Sequence, residues 1–486
     1  MTSSDHLRLN HIAGAWHAPA GAKFQPKRNP GDLTDVIGEF PESSADDVTE
    51  AVDAASEAAA AWSRTGPVER AEYLYRLERL LHAHADDLAH AITREHGKPL
   101  RDARGEVARA CAITAFFAGE GRRLGGRTAP ADDNDTLALT FRAPIGVVGL
   151  ITPWNFPLAI PVWKLAPALV SGCTVVMKPS PFTPLTAALL TDLVTRAGLP
   201  TGVVNLVQGG RTAGEALAAD ARVRGVSFTG SVPVGRAIQI AGAPRFLRTQ
   251  LEMGGKNAVI VLADADLDRA AAAVVHGAFG QSGQRCSATS RLVADVRIKE
   301  QLIERIVASA SRLRVGPGLD ERSDLGPLIS AERLAACEEA VAEAVCDGAV
   351  LRLGGDRPSR DTVPDGHYFR PTVVDGADPG SPLAQEEIFG PVLTVLGCDG
   401  YEDAIALANG VRYGMSGTLF TRDSRAMFAG MRDLEAGMIH INRPGVGAYP
   451  HLPHVGTKES QAGPAECSAE TLDFYTETRS ACLDYS

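Results

Sequence analysis

The sequence has no excess of positive charge and no long apolar run. Its 48 Lys and Arg residues are outnumbered by 59 Asp and Glu residues, and the formal net charge is −11. That balance argues against nucleic acid or an anionic membrane as a partner. No apolar stretch approaches the ~20 residues of a bilayer span, and the N-terminus lacks the charged-then-apolar order of a signal peptide. We therefore expect a chain that binds neither nucleic acid nor membrane.

The sequence also lacks any cysteine pair with the close spacing of a CxxC motif. Its eight cysteines lie far apart, which favours reduced thiols in the cytoplasm over a disulfide framework. The spacing shows no cluster of metal ligands either, so we predict no metal site. The cysteines are Cys111, Cys173, Cys286, Cys337, Cys346, Cys398, Cys467 and Cys482.

At 486 residues the chain is too long for a single core, so we expect two or three domains. Residues 44–124 have helical periodicity, and Pro67 suits a first helical turn. From about residue 145, β-rich runs alternate with helical ones, which is typical of βαβ units on a parallel sheet. A second α/β series covers about 264–440. The predicted strands include 145–151, 174–178, 202–207, 226–231, 257–262, 291–296 and 415–420, and the predicted helices include 158–170, 184–197, 298–313 and 331–347.

Three motifs carry groups that together can form and hydrolyse a thioester. Cys286, in Gly283-Gln284-Arg285-Cys286, is the predicted nucleophile, since a thiolate attacks an aldehyde carbonyl. Asn155, framed by prolines, is the predicted donor to the oxyanion that forms. Glu252, followed by Met253-Gly254-Gly255, is the predicted base for the hydrolytic water.

Each of these residues, taken alone, has an ordinary structural interpretation. Cys286 could be a buried apolar thiol, Asn155 a helix cap and Glu252 a carboxylate that ends a strand. A cysteine hydrolase of another class would need a histidine partner. The one histidine near Cys286 in the sequence is His276, and nothing assigns it that role. The three motifs together favour the aldehyde chemistry.

These motifs resemble the signatures of the aldehyde dehydrogenase superfamily, and the likeness runs through most of the chain. The resemblance implies an α/β fold with three parts. A Rossmann-type NAD(P)-binding domain covers 1–125 and 144–254, an α/β catalytic domain covers 255–453, and bridging strands in 126–143 and 467–486 form a small oligomerisation element. It also implies a homodimer or homotetramer, and a supporting role at the active site for Lys164.

A cofactor site is indicated by Gly225–Ser231, where a predicted strand turns into a helix whose N-terminus can bind a pyrophosphate. This stretch is not the GxGxxG fingerprint, but it resembles the family's own version of the dinucleotide site. The resemblance implies that NAD or NADP contacts the following residues: Thr152, Pro153, Trp154, Lys178, Ser180, Gly209, Gly214, Gly230, Ser231, Glu387 and Phe389.

Two departures from the family pattern bear on specificity. Pro181 stands where NAD-preferring members commonly have a glutamate, so Lys178 and Ser180 could receive a 2′-phosphate, and we lean towards NADP. The loop Pro453-His454-Val455-Gly456-Thr457-Lys458 replaces a Pro-Phe-Gly-Gly-x-Lys stretch that walls the substrate tunnel. We predict a polar pocket, or alternatively a surface loop with incidental histidines. The candidate substrate-binding residues are Arg285, Arg443, His451 and His454.

Within the superfamily, the chain looks most similar to the α-ketoglutarate semialdehyde dehydrogenases. The likeness is carried by Gly283–Arg291 and by Gly463-Pro464 followed by Asp473–Thr476. We predict NAD(P)-dependent oxidation of an anionic semialdehyde to its acid. The alternatives are a neutral aliphatic or aromatic aldehyde, an acylating enzyme that releases its product to coenzyme A, and a catalytically silent protein on the same fold.

Overall fold

A computed structural model describes residues 5–19, 21, 23–447 and 449–486. No helix in these residues is long and apolar enough to cross a membrane. The α-helices are α1 (Ala45–Arg64), α2 (Pro67–Ala83), α3 (Ala85–His96), α4 (Leu100–Glu120), α5 (Ala159–Ser171), α6 (Pro184–Arg196), α7 (Arg211–Ala219), α8 (Val232–Gly242), α9 (Leu267–Phe279), α10 (Lys299–Ala310), α11 (Ala331–Cys346), α12 (Pro382–Gln385), α13 (Gly400–Asn409), α14 (Ser424–Asp433) and α15 (Leu472–Tyr475).

The strands are β1 (Asn10–Ile12), β2 (Ala15–His17), β3 (Lys23–Asn29), β4 (Asp32–Glu42), β5 (Thr128–Ala129), β6 (Thr136–Pro144), β7 (Val147–Ile151), β8 (Thr174–Lys178), β9 (Val204–Leu206), β10 (Val223–Thr229), β11 (Arg248–Glu252), β12 (Asn257–Val261), β13 (Thr289–Asp295), β14 (Val350–Leu353), β15 (Thr372–Asp375), β16 (Val392–Cys398), β17 (Tyr413–Gly414), β18 (Ser416–Phe420), β19 (Met438–Ile441), β20 (Thr457–Lys458), β21 (Gln461–Ala462) and β22 (Thr476–Asp484).

The first large sheet has eight strands in the order β2-β1-β9-β8-β7-β10-β11-β21. Strands β9, β8, β7, β10 and β11 are parallel, and every residue of β7 and β8 is buried because helices cover both faces. The strand order reverses between β7 and β10. In open α/β sheets, ligands bind beyond the carboxyl ends of the strands at such a reversal.

The second large sheet has seven strands in the order β14-β15-β16-β13-β12-β18-β19, and only β14 runs antiparallel to its neighbour. Its strand β12 begins at Asn257, five residues after β11 of the first sheet ends at Glu252. The short strand β21 then returns to the first sheet and pairs with β11, with Gln461 opposite Glu252. The chain therefore crosses between the two sheets twice beside Glu252.

The predicted helical run over 44–124 is confirmed as α1 to α4, and the predicted strand and helix alternation after 145 is confirmed with ends shifted by at most three residues. A capping box between Ser44 and Asp47 starts α1, and Gly97, at φ 89°, ends α3. Strands β1 to β4 were not predicted. The β1–β2 hairpin forms one edge of the first sheet and β3 and β4 form a separate antiparallel pair, and the alternation of apolar residues in all four is too irregular to indicate strands.

Segments 126–143 and 467–486 meet in a three-stranded antiparallel sheet of order β22-β6-β5. Nine residues of β22 pair with β6, from Thr476 opposite Pro144 to Asp484 opposite Thr136. The strand does not extend through the whole predicted segment, because residues 469–475 form helical turns. Leu137, Phe141 and Leu483 on this sheet are 40%, 42% and 59% exposed.

The backbone of Gly326 packs directly against Gly97, so a Cβ at position 326 would lie 1.9 Å from the Gly97 carbonyl oxygen. We predict that Gly326→Ala lowers the free energy of unfolding by about 1–3 kcal/mol, as overpacking does. Gly105→Ala is the matched control, since a Cβ there meets nothing within 4 Å and lies inside α4. Denaturant unfolding should show that this control is stabilised by about 0.5–1 kcal/mol. Equal stability of the two variants would contradict the packing argument.

Candidate active site

Two cavities meet at Cys286. The first, of about 270 Å³, lies beyond the carboxyl ends of β7, β10 and β11 and includes Asn155, Glu252 and Cys286 in its lining. The second, of about 340 Å³, lies on the other side of Cys286, and its lining includes Arg285 and His454. The thiol can therefore meet one molecule from each side.

The loop that carries Cys286 is held in an unusual backbone conformation. Gln281 and Ser282 have φ of 56° and 55°, and a Cβ on Gly283 would lie 2.2 Å from the Gly390 carbonyl oxygen. Asn257 Nδ2 donates to the carbonyl oxygens of Cys286 and Ala288, both at 2.8 Å. Left-handed non-glycine residues persist only where surrounding contacts enforce them, and they cluster at functional sites.

The Cys286 side chain is 9% exposed. Burial, followed by the nearby charge of Glu252, raises the pKa of the Cys286 thiol well above its ordinary value. Since the thiolate is the nucleophilic form, this thiol needs a base close by to remove its proton.

Glu252 ends β11 with its side chain fully buried. Among the described residues, neither of its carboxylate oxygens has a hydrogen-bond partner. Two residues on, Gly254 lets Glu387 approach, because a Cβ there would lie 2.1 Å from Glu387 Oε2. Glu252 lines the first cavity beside Cys286, which is the position that the predicted role as a base requires.

Asn155 is fixed by a buried polar network. Its carbonyl oxygen accepts from Lys98 Nζ and from Gln281 Nε2, both at 2.6 Å. Lys98 Nζ also donates to Glu106 Oε2 at 2.8 Å, and Glu106 Oε1 accepts from the Leu158 backbone N–H at 2.8 Å. The Asn155 side-chain oxygen accepts from the Phe156 N–H at 3.1 Å, which leaves the amide N–H groups as donors for another molecule.

Lys164 lines neither cavity. It is fully buried, pairs with the Glu466 carboxylate and donates to Ser227 Oγ at 3.0 Å. The backbone of Glu466 in turn forms an isolated antiparallel bridge with the backbone of His454, with nitrogen-to-oxygen distances of 2.7 and 3.0 Å. Lys164 is therefore connected to the catalytic groups only indirectly, through Glu466 and His454.

His454 was expected only to make the pocket polar, but it lies against the catalytic groups. Its Nε2 is 3.7 Å from Cys286 Sγ and 3.7 Å from Glu252 Oε1, and its ring packs on Trp163 at 5.1 Å between centroids. Cys286 thus has a histidine neighbour, which corrects the conclusion drawn from sequence distance alone, while His276 lines the second cavity. The altered Pro453–Lys458 loop was the signal in the sequence.

Three arginines, Arg101, Arg109 and Arg285, line the second cavity together with two carboxylates, Asp102 and Glu106, of which Glu106 pairs with Lys98. Arg101 pairs with Asp324, whereas Arg109 and Arg285 form no ion pair among the described residues. Arg109 was missed from the sequence because it lies on α4, far along the chain from the motifs.

The other two candidate substrate residues lie elsewhere. Arg443 donates to Tyr449 Oη at 2.8 Å, and His451 packs on the Tyr449 ring at 5.7 Å between centroids. Both are exposed, and neither is among the described residues that line the two cavities. The structure therefore does not bring Arg443 or His451 to either cavity, and their contact with the substrate stays a prediction.

The first cavity has the features that a dinucleotide requires. Gly230 and Ser231 precede the N-terminus of α8, where no side chain caps the backbone N–H groups. Trp154 and Phe389 pack edge to face at 5.3 Å between centroids, and Phe389 has φ 58°. The predicted cofactor residues that line this cavity are Pro153, Trp154, Gly230, Ser231, Glu387 and Phe389, and Arg333 and Met253 join them without having been predicted.

Lys178 marks a second part of this region. It ends β8, and its Nζ donates only to the carbonyl oxygens of Pro179 and Gly209, at 2.9 and 3.0 Å. Burial lowers the pKa of Lys178 to about 8. A Cβ on Gly214 would lie 3.6 Å from Lys178 Cδ, so these residues are neighbours. Thr152 and Ser180 are buried directly after β7 and β8.

Glu387 links the two large sheets at the first cavity. Its Oε1 accepts from the Gly255 N–H at 2.9 Å. Burial, with a further contribution from Glu252, raises the pKa of Glu387 to about 7.

Comparison with known proteins agrees with this geometry. Residues 16–481 match the aldehyde dehydrogenase family. The chain is 40% identical to the alpha-ketoglutaric semialdehyde dehydrogenase of Bacillus subtilis, over 98% of each chain. It is 36% identical to the NADP(+) succinate-semialdehyde dehydrogenase GabD of Escherichia coli, over 97% of each. A crystal structure of Staphylococcus aureus betaine aldehyde dehydrogenase with NAD+ superposes with a TM-score of 0.95 and 32% identity, over 99% of this chain and 96% of that one.

The chain therefore belongs to the aldehyde dehydrogenase family, and the predicted fold class is confirmed. It is an enzyme that oxidises an aldehyde to the carboxylic acid with NAD or NADP.

The buried pair of Lys98 and Glu106 leads to a stability prediction. Both side chains are fully buried, so Lys98→Met leaves the Glu106 carboxylate without a counterion. We expect the free energy of unfolding to fall by about 3–5 kcal/mol, the usual cost of removing one partner of a buried pair. In the control Arg104→Met, the lost partner is Asp86 and both side chains are exposed, so the loss should be below about 1 kcal/mol. Similar losses in the two variants, measured by denaturant unfolding, would contradict the importance of this pair.

Proposed function

We propose that the enzyme oxidises an anionic semialdehyde through a covalent intermediate on Cys286. The aldehyde occupies the second cavity and the nicotinamide cofactor the first, so that the thiol lies between them. In this proposal residues 1–125 and 144–254 bind the cofactor, and residues 255–453 supply the thiol. The observation that carries the proposal is the junction of the two cavities at Cys286.

Each residue of the site has a separate role in the proposed reaction. Glu252 and His454 are the bases within reach of the Cys286 thiol, which attacks the aldehyde carbon to form a thiohemiacetal. The Asn155 amide and the Cys286 backbone N–H stabilise the negative oxygen, and each such donor contributes about 3 kcal/mol. When bound, the cofactor accepts a hydride from that carbon. Glu252 then takes a proton from water, which attacks the thioester and releases the acid.

The positive charge of the second cavity supports an anionic substrate. Arg109 and Arg285 form no ion pair among the described residues, although the charge of Asp102 acts on Arg285. Guanidinium groups bind carboxylates and phosphonates through paired hydrogen bonds. The semialdehyde dehydrogenases among the relatives also support an anionic aldehyde as the substrate. A neutral aldehyde is the second candidate, because Phe156, Ile160 and Trp163 also line this cavity.

The cofactor site supports a preference for NADP. Among the residues that the structure describes, Lys178 donates to no carboxylate, and position 181 holds an exposed proline, so a 2′-phosphate would meet a cation. Glu42 carries the opposing charge. Its Oε1 accepts from the Gly210 N–H at 2.7 Å, and its charge raises the pKa of Lys178 against the larger effect of burial.

We further propose that two or more copies assemble through the three-stranded sheet in the cytoplasm. The exposed Leu137, Phe141 and Leu483 support this, since apolar side chains exposed on the surface of a sheet favour association. Light scattering of the purified protein should give a mass that is a multiple of the 51.1 kDa chain. A mass of one chain at micromolar concentration would refute this part of the proposal.

Arginine variants should separate anionic from neutral substrates. We expect Arg109→Gln and Arg285→Gln to raise the KM for an anionic semialdehyde by about 10- to 100-fold, which corresponds to the 1.5–3 kcal/mol of a charged hydrogen bond. The KM for a neutral aldehyde should change little. Arg443→Gln is the control, because its guanidinium lies outside the cavity. Equal effects on both kinds of substrate would favour the neutral-aldehyde alternative.

Position 181 should control the choice of cofactor. We predict that Pro181→Glu lowers the kcat/KM ratio of NADP to NAD at least about tenfold, equal to about 1.4 kcal/mol, because its carboxylate repels a 2′-phosphate. Pro181→Gln separates the charge from the loss of the proline and should shift the ratio much less. An unchanged ratio in Pro181→Glu, measured by steady-state kinetics with both cofactors, would rule out this explanation.

A further inference from the structure

Glu252, Cys286 and His454 form a compact set of buried ligand atoms. One carboxylate oxygen, the Sγ atom and one ring nitrogen all lie within 4.8 Å of one another. His454 Nε2 is 3.7 Å from each of the other two. The three residues come from the end of β11, from the loop before β13 and from the segment that returns to the first sheet, so no spacing in the sequence reveals the set.

These distances approach those of a tetrahedral zinc site. Typical bonds of about 2.3 Å to sulfur and about 2.0–2.1 Å to nitrogen or oxygen place neighbouring ligand atoms roughly 3.3–3.6 Å apart. The two 3.7 Å separations at His454 need to close by a few tenths of an ångström, and the separation between Cys286 Sγ and the Glu252 oxygen, which is within 4.8 Å, has to close to the same range. Three protein ligands with one open position are also the usual arrangement where zinc keeps a water molecule.

The environment of the three groups also favours a cation. Both Glu252 oxygens are without hydrogen-bond partners, and the nearby Lys164 ammonium is paired with Glu466 instead. The side chains of Glu252 and His454 are 0% and 5% exposed, so an ion would leave bulk water on binding. Thiolate, imidazole and carboxylate together select zinc over magnesium or calcium. The second cavity provides an entry path, since both Cys286 and His454 line it.

We propose that Glu252, Cys286 and His454 bind a Zn²⁺ ion that reversibly blocks the catalytic nucleophile. On binding, the Cys286 S–H bond breaks, its proton passes to the buffer, and the sulfur lone pair forms the bond to zinc. No electron is transferred, and water occupies the fourth position. The ion and an aldehyde then compete for the same sulfur atom.

His454 distinguishes this chain from family members that have phenylalanine at this position of the loop. It stands in the Pro453–Lys458 loop at the position where the family often has phenylalanine, and phenylalanine offers no ligand atom. A chain with phenylalanine there retains two of the three ligands. His454→Phe is therefore the variant that tests the site with the least change in shape.

The test uses the full-length enzyme after chelator treatment, without aldehyde or cofactor. Isothermal titration with Zn²⁺ should give one site per chain, and Co²⁺ should give the charge-transfer absorption of a cobalt–thiolate bond. We expect His454→Phe to weaken Zn²⁺ binding more than ~100-fold, beyond the usual cost of losing an outer-shell partner of a metal. His451→Phe, which removes an exposed histidine of the same segment, should bind Zn²⁺ as the unchanged enzyme does.

Further variants and measurements separate loss of the zinc site from unfolding and from oxidation of the thiol. His454→Gln repeats the test if circular dichroism shows that His454→Phe is unfolded, and Cys286→Ser should abolish the cobalt–thiolate band. Zn²⁺ should inhibit the unchanged enzyme, and a chelator without reductant should restore its activity, which separates metal binding from thiol oxidation. Equal Zn²⁺ affinity in the unchanged enzyme and in a folded His454 variant would overturn the proposal, as would the absence of a cobalt–thiolate band.

Discussion

The backbone carbonyl of Asn155 accepts hydrogen bonds from Lys98 and Gln281, which come from different parts of the chain. Lys98 precedes α4 and Gln281 belongs to the loop that carries the nucleophile, so a single oxygen joins the helical region, the end of β7 and the thiol. Because the carbonyl is buried, both donors would lose a partner if the loop moved. The position of the oxyanion donor relative to Cys286 follows from this junction. Catalysis by preorganised donors requires such rigidity.

Close backbone contacts complete the junction between the two sheets. A Cβ on Gly255 would lie 2.7 Å from the Cys286 carbonyl oxygen, and one on Gly254 would strike the Glu387 carboxylate. The absence of these side chains lets β11, the thiol loop and the Glu387 loop approach one another. As a result, the base, the nucleophile and the cofactor side of the site share one small volume.

The residues and strands that could be predicted are those whose role is indicated by a short stretch of neighbouring sequence. Cys286, Glu252 and Asn155 each lie close to glycine or proline in a recognisable motif, and buried parallel strands such as β7 and β8 appear as short apolar runs. What the sequence could not supply depends on contacts between distant segments. The pairing of β21 with β11 brings His454 to the thiol, and α4 carries Arg109 to the second cavity. His451 shows the opposite case. It is only three residues from His454 and was predicted with it to bind the substrate, but it is exposed and packs on Tyr449.

Cys286 forms the thioester and Glu252 activates the water that hydrolyses it, and the Glu252→Gln variant tests this separation of roles most directly. It should be mixed with an anionic semialdehyde and NADP, and reduced cofactor and intact protein mass should be followed together. We expect a burst of about one reduced cofactor per chain, followed by slow turnover, and an acyl group on Cys286. The reason is that the thioester forms but water is not activated to hydrolyse it. Sustained turnover at the rate of the unchanged enzyme, or an intact mass without an adduct, would contradict it.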